Sequence, residues 1–552
     1  MDYRNPAHCL GLLQNLPADD PFDRFTVLAN IVAGLLAARP LPDQHLEVLE
    51  MARPLIDKAR ARFAGLDGDE PLPPDSQQND LLLRVIRLWR DMSRSYALIA
   101  ALDADAGTLH DQRALLAQRR IHYAGKIVSE YYRAHRALPA GLWSEVHEGF
   151  VAAESAGIHH VRVSDPLNVV WKAQSALEAY ITVLLLDLAN PFGRSGQEWT
   201  WICRWAERFA PYCSLDPNIA GRKPTTYGLD LSADHGLRPL GLLNKTPNAR
   251  YFDCAKLASQ IQSVFAQFKQ GVSPSSLGLG DDCSVDASAR LLLSLYRPWG
   301  LASAGRRFPR RGSTGVVELC AEWLAIGFHV QGKLFEQPRR NPHRSITSSL
   351  GPHSDWAVHT FGAQAAGVET ELTRGGHRNF DHQHLEAERL GLICEQWELL
   401  DQSVGGFRLQ QRPHAERFSH HQLVGVRPSD GEYFLLGQVS WLMFRDDGLL
   451  EAGIHVLPGL PQVIAARPHV EAEGRREPYS QAFMIEANEV LQIEASLIVP
   501  EGWYKTNGLV EVFVDGRERK LKMTSLLLKG PNFEQVGFAD LSAPPSAQTR
   551  QP

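Results

Sequence analysis

Apolar residues change their spacing along this chain near residue 300. Before that point they recur every three or four positions; after it they alternate or come in short runs. Phe25, Leu28, Ile31, Val32, Leu35 and Leu36 have the spacing of one buried helix face. Pro40 and Pro42 break that helix, because the proline ring fixes φ and removes an amide donor. Leu46, Leu49, Leu55 and Ile56 resume the pattern, and longer helices are expected over 81–102 and 109–137. Trp89, Met92 and Tyr96 share one face, as do Ile121, Ile127, Val128 and Tyr131. Asp165-Pro166-Leu167 has the form of an N-cap followed by Pro in the first turn, which predicts a helix running to Leu188. Further helices are expected over 199–209, 255–268 and 285–296. Between them, 214–250 is rich in Gly, Pro, Asn and Asp, and the Gly- and Ser-rich stretch 273–282 reads as a hinge. Paired helices without a fixed-period repeat suggest a bundle or a short solenoid.

Strand-like patterning starts at Val316, and 316–330 reads as one or two strands. Arg, His, Ser, Gly and Pro dominate 337–384, with too little apolar surface to offset the entropy of ordering, so a mobile insertion is expected there. A short helix over 385–394 precedes strands at 397–400, 407–409, 435–441 and 450–456. Past Pro461, strands are expected at 482–485, 491–499, 509–514, 521–527 and 535–538, with turns at Val499-Pro500-Glu501-Gly502 and Val514-Asp515-Gly516. The fold class is therefore multidomain α + β. The expected organisation is a helical domain over 1–213, a mixed segment and helical connection over 214–300, a β-barrel with its insertion over 301–465, a small C-terminal β domain over 466–542 and a disordered tail over 543–552.

At 552 residues, with 44% hydrophobic and 22% charged residues, the chain can build several ordinary cores. A net charge of −6 argues against DNA or RNA as a bulk partner, so any anion site must be local. The seven cysteines are an odd number with no CxxC, which points to reduced thiols and a cytoplasmic setting. The first residues lack a basic region followed by an apolar core, and the apolar stretch 179–189 is short and contains Asp187, so neither a signal peptide nor a transmembrane segment is expected. His353, His359, His377, His382, His384, His420 and His421 crowd together without companion cysteines, and no metal is expected. No GxSxG, P-loop, HExxH or dinucleotide fingerprint stands in a credible setting, so the chain does not read as an enzyme and no cofactor is expected.

Two polar stretches remain. Arg306-Arg307-Phe308-Pro309-Arg310-Arg311 places four guanidinium groups within six residues. Asp401-Gln402-Ser403-Val404-Gly405-Gly406 sits between two apolar runs and reads as a hairpin corner, since Asp and Ser bond nearby backbone and Gly tolerates unusual φ. Taken singly, the first reads as a solvated junction and the second as a turn. In order with Gly437, Val439 and Trp441 and the strand Gly453-Ile454-His455-Val456, they resemble the RxxxR and DxSxxG motifs of the PilZ domain, a small β-barrel that binds cyclic di-GMP. About ninety residues separate the two motifs, more than PilZ domains usually have, which suggests an insertion in a barrel loop.

The resemblance implies cyclic di-GMP as ligand. Arg306 and Arg310 would form the RxxxR pair, with Arg307 and Arg311 as a second register. Asp401 and Ser403 would bond a guanine edge, and Gly405 and Gly406 would admit the purine. Guanidinium groups suit phosphate and guanine alike. The overall layout, with Leu184–Pro191 as a helix end, resembles long bacterial PilZ proteins. It implies a second-messenger effector that relays binding to a protein partner of pilus or flagellar machinery, in surface attachment, biofilm, type IV pilus or motility control. The alternative is a degenerate PilZ-like adaptor that makes protein contacts and binds no nucleotide.

Overall fold

The computed structural model describes residues 2–17, 20–62, 70–104, 106–244, 246–301, 311–312, 314–338, 380–403, 405–412, 417–469, 477–488 and 493–541. The expected insertion and C-terminal tail lie largely outside them. The chain folds as two compact units, one of residues 1–70, 74–306 and 443–446, the other of 71–73, 307–442 and 447–552.

The first unit is helical. Its helices are α1 (Pro6–Gln14), α2 (Pro21–Ala38), α3 (Pro42–Arg60), α4 (Ser76–Asp103), α5 (Arg113–Arg133), α6 (Leu142–Ser155), α7 (Ala176–Leu188), α8 (Gly196–Phe209), α9 (Ala255–Lys269) and α10 (Val285–Leu295). Proline opens each of the first three, where its missing amide costs nothing. Reciprocal caps start three others: Asp75 with Gln78, Ser175 with Glu178, and Ser195 with Glu198. The anticipated faces close into one core that includes Leu28, Leu49, Trp89, Tyr96, Ile121 and Trp199. α2 is long and apolar enough to cross a membrane by composition, yet its Phe25, Leu28, Ile31, Val32 and Leu35 are buried in this core. The short strands β1 (Val163–Ser164) and β2 (Ala173–Gln174) pair with each other. β3 (Ser214–Asp216), β4 (Tyr227–Asp230), β5 (Arg238–Pro239) and β6 (Ala249–Asp253) form a sheet in the order β3-β6-β4-β5.

Asp165 does not cap a helix, contrary to its Asp-Pro signature. Its carboxylate is buried between Arg53, at 3.0 and 3.1 Å, and Arg119, at 3.0 Å. Arg119 also grips Glu50 at 3.0 and 3.1 Å, and the Tyr96 hydroxyl donates to Glu50 at 2.7 Å. Two desolvated guanidinium groups need a carboxylate more than a helix start does. The helix therefore begins ten residues later, at Ser175.

The second unit contains β7 (Arg311–Gly312), β8 (Val316–Cys320), α11 (Trp323–Gln331), α12 (Phe380–Leu390), β9 (Glu395–Ser403), β10 (Gly406–Gln411), β11 (Leu423–Pro428), β12 (Leu435–Phe444) and β13 (Leu450–Val456). β14 (Pro461–Pro468), β15 (Ser480–Ile485), β16 (Ser496–Val499), β17 (Leu509–Val514), β18 (Arg517–Lys529) and β19 (Glu534–Asp540) follow. The order β10-β13-β12-β11-β8-β9 closes on itself through β9–β10 pairing, which makes a six-stranded barrel with β7 added beside β9. A second closed barrel runs β14-β15-β16-β19-β18-β17. Closure leaves neither barrel a full-length open edge.

The second half of 316–330 is helix α11, not strand. Its residues are apolar on every side, so their run carries no helical period. Gly327 allows the close approach: a Cβ there would collide with the Gln481 side chain, whose amide donates to the Trp323 carbonyl at 2.5 Å. The strand expected over 491–499 is shorter, Ser496–Val499, and α12 starts earlier than the helix expected at 385.

Candidate functional site

The Asp401 corner is a hairpin between β9 and β10, in register Ser403↔Gly406, Phe407↔Gln402 and Arg408↔Asp401. Phe407 and its β13 partner Ile454 are buried, so the neighbouring row faces outward. That outer row contains Asp401, Arg408 and Gly453 across three strands, with Ser403, Gly406 and His455 one step along. Ser403 Oγ donates to the Gly406 carbonyl at 3.4 Å, which closes the turn locally. The Gly405 carbonyl accepts from the Val456 amide at 3.0 Å and lies 3.1 Å from His455 Nδ1.

The two glycines do different work. A Cβ built on Gly405 meets nothing within 4 Å, so space is open there. A Cβ on Gly406 would fall on the Ile454 carbonyl oxygen, so here the close approach is to β13 backbone. At Gly453 the close approach is to a side chain, since a Cβ there would strike the Trp441 indole nitrogen. Gly406 and Gly453 thus let the neighbouring strand and the tryptophan pack closely.

Arg408, which the motif reading did not single out, ties the row together. Its guanidinium donates to Glu451 at 2.7 and 3.1 Å and stands 3.8 Å from Asp401. Its signal in the sequence is one arginine between the apolar Phe407 and Leu409. Of the expected arginines, Arg306, Arg307 and Arg310 lie outside the described residues. Arg311 is described in its backbone: β7 pairs antiparallel with β9 as Arg311↔Gln402 and Gly312↔Asp401. The end of the arginine-rich segment is therefore a strand directly beside the Asp401 hairpin.

Other chemistry is sparse. Among the described residues no group of three or more His, Cys, Asp or Glu is arranged to hold a metal. The helical unit has a cavity of about 100 Å³ lined by His122, Lys126, Glu130, Cys203 and Glu207. Burial lifts the Glu207 carboxyl to about 7 even though Lys126 pulls it down, and burial lowers His122. Glu130 goes the other way: burial raises it, but Arg60, at 2.6 and 2.9 Å, outweighs burial and holds it below the usual range. The Cys203 thiol is raised by burial and sits 3.4 Å from Ser129 Oγ, an arrangement that does not activate a nucleophile.

Residues 7–219 match the family model "Cyclic-di-GMP receptor FimW, N-terminal domain". Residues 464–541 match "FimW C-terminal beta-barrel domain". The Cyclic-di-GMP receptor FimW of Pseudomonas aeruginosa (strain PAO1) is 21% identical over 521 residues, which cover 90% of this chain and 84% of that protein. A solved structure described as "MrkH, A novel c-di-GMP dependence transcription regulatory factor" overlaps 35% of this chain and 91% of its own at 10% identity. Its TM-score of 0.13 is too low to carry an argument. The two domain matches together span more than half of the chain, and they fall on the helical unit and on the second barrel in the order of an alignment that runs through nearly all of it. By those matches this protein belongs to the FimW family.

Proposed function

We propose that this chain is a cytoplasmic cyclic di-GMP receptor that uses its first barrel as PilZ domains do. The arginine-rich segment Arg306–Arg311 clamps the phosphates and stacks on the bases, and the Asp401–Gly406 hairpin reads guanine. A carboxylate at Asp401 accepts from the N1 and N2 hydrogens, which adenine does not present together. Arg408 stands 3.8 Å from that carboxylate, and the open side of Gly405 admits the purine. Binding is then relayed to a protein partner in surface attachment, pilus or motility control.

The observation that carries this reading is the pairing of β7 with β9, which sets the arginine segment's last residue opposite Gln402. Peptide geometry ties the Cα of Arg310 about 3.8 Å from that of Arg311, and that of Arg307 within about 14 Å. That nearness supports the reading in which the two motifs share one ligand despite the long insertion. Calorimetry with cyclic di-GMP is the test. Wild-type protein should bind, cyclic di-AMP should not compete, and Arg310→Ala and Asp401→Ala should each weaken binding roughly tenfold to a hundredfold, the value of one charged hydrogen bond. No binding by the wild type at tens of micromolar ligand would leave the adaptor reading.

A further inference from the structure

β9 carries Asp401 near one end. At its other end the strand register with β8 runs Val316↔Glu398, Val317↔Trp397, Glu318↔Gln396 and Leu319↔Glu395, so the next facing residues are Cys320 and Cys394. Cys320 and His329 on α11 are the neighbours that act on the Cys394 thiol, and Cys320 Sγ itself lies 3.9 Å from the Gly425 carbonyl oxygen. Both cysteines are reduced; Cys320 is buried and Cys394 is partly exposed. His329 Nε2 lies 2.9 Å from the Leu392 carbonyl oxygen, which can only accept, so this nitrogen carries the proton and Nδ1 is left as an acceptor. Gly425 makes room on the other side, since a Cβ there would press on Cys320 Sγ. Facing residues of an antiparallel pair have Cα atoms about 4.5–5.5 Å apart. A disulfide spans Cα separations of about 4.4–6.8 Å, a range that includes that spacing.

We propose that Cys394 and Cys320 are a reversible oxidation site whose oxidant is a hydroperoxide. His329 takes the Cys394 proton. The thiolate attacks the terminal peroxide oxygen, the O–O bond breaks, and the proton leaves with the alkoxide or hydroxide as alcohol or water. The sulfenic acid on Cys394 is then attacked by Cys320 sulfur; the S–S bond forms, and the sulfenic oxygen departs as water with the Cys320 proton. Two electrons pass from the thiol pair to the peroxide, and a dithiol returns them. Cys320 and burial push the Cys394 thiol up more than His329 pulls it down, so little thiolate forms and the oxidation is slow and stoichiometric, without turnover. The product is a staple between β8 and β9.

The test is peptide mass mapping of the full chain after stoichiometric hydrogen peroxide and alkylation, without reductant. Two of the seven thiols should become unavailable, in one cross-linked peptide pair joining Cys320 to Cys394 and 2 Da lighter than the reduced pair (the mass of two hydrogen atoms), and dithiothreitol should restore both. Cys320→Ser should stall at a Cys394 sulfenic acid that dimedone traps, and Cys394→Ser should leave Cys320 alkylated. His329→Gln keeps a donor for Leu392 and should slow wild-type disulfide formation by on the order of tenfold or more. Alkylated Cys320 and Cys394 in oxidised wild type, or a Cys394 sulfinic acid beside a free Cys320, overturns the proposal. All readouts are on the wild type or are independent of cyclic di-GMP.

Discussion

In the helical unit, Arg53 and Arg119 close on Asp165 and Glu50 with bonds of 3.0–3.2 Å, and Arg53, Arg119 and Asp165 are nearly sealed from water. On the outer face of the first barrel, Arg408 is 39% exposed, holds the buried Glu451 at 2.7 Å and reaches Asp401 only at 3.8 Å. The residue types are the same, but the solvent differs. Inside, every charge is matched because an unmatched one is prohibitive. Outside, water screens the contact, the pair adds little stability, and a carboxylate can exchange partners. The first arrangement suits a fixed scaffold and the second suits a ligand site.

That contrast breaks most sharply at Asp165. Asp165→Ala strands two buried guanidinium groups and should cost roughly 3–5 kcal/mol, read as a lower urea midpoint at unchanged slope. A loss under about 1 kcal/mol would mean that the cluster is wetter than its geometry implies.

Acid should expose the same intolerance of buried charge at His45, which is fully buried, has both ring nitrogens unbonded, and is lowered by burial to about 4. The unfolded state binds the proton at about 6.5. Between those values only the unfolded chain gains it, so stability falls as pH drops from about 6.5 to 4 and is flat for this group below that. The loss should reach about 3 kcal/mol, and His45→Phe should flatten that part of a pH series of urea midpoints.

Gly406→Ala comes next. The added Cβ meets the Ile454 carbonyl, so the hairpin should lose about 1–3 kcal/mol in thermal or urea unfolding. Gly405→Ala, with open space beside it, should be nearly neutral in stability.

The smallest stability effect belongs to Asp401. Asp401→Ala should change stability by no more than about 1 kcal/mol while cyclic di-GMP binding drops sharply, which would separate the scaffold from the site. A large loss of stability with binding retained would reverse the assignment.

Much of the helical unit was legible because its signals are local. Apolar spacing at three and four acts within one turn of chain, and the prolines at 40 and 42 mark where one helix stops. Reading failed where a distant partner outbid the local signal. Asp165 looks like a cap until Arg53 and Arg119 arrive from two other helices. Residues 323–331 look like strand because apolar residues on both the buried and the exposed side, Leu324 among them, erase their period, although Gly332, left-handed at φ 78, was a local stop signal for a helix. In the barrel, Asp401, Ser403 and Gly406 were identifiable as a corner, whereas Arg408 is one arginine among many until β13 brings Glu451 beside it.

The amino-acid order alone determined the type of most of the long helices and of the strands flanking the Asp401 corner, and that a carboxylate, a hydroxyl and two glycines share a tight turn. Those outcomes depend on contacts a few residues apart, whose free energies hardly depend on the rest of the molecule. Only the tertiary structure decided that Gly312 faces Asp401 across a gap of about ninety residues in the chain, that Gly406 yields to Ile454, and that Leu319 lies opposite Glu395. Strand pairing between remote segments is chosen by the closure of the whole barrel, and no local preference encodes which residue will lie opposite which.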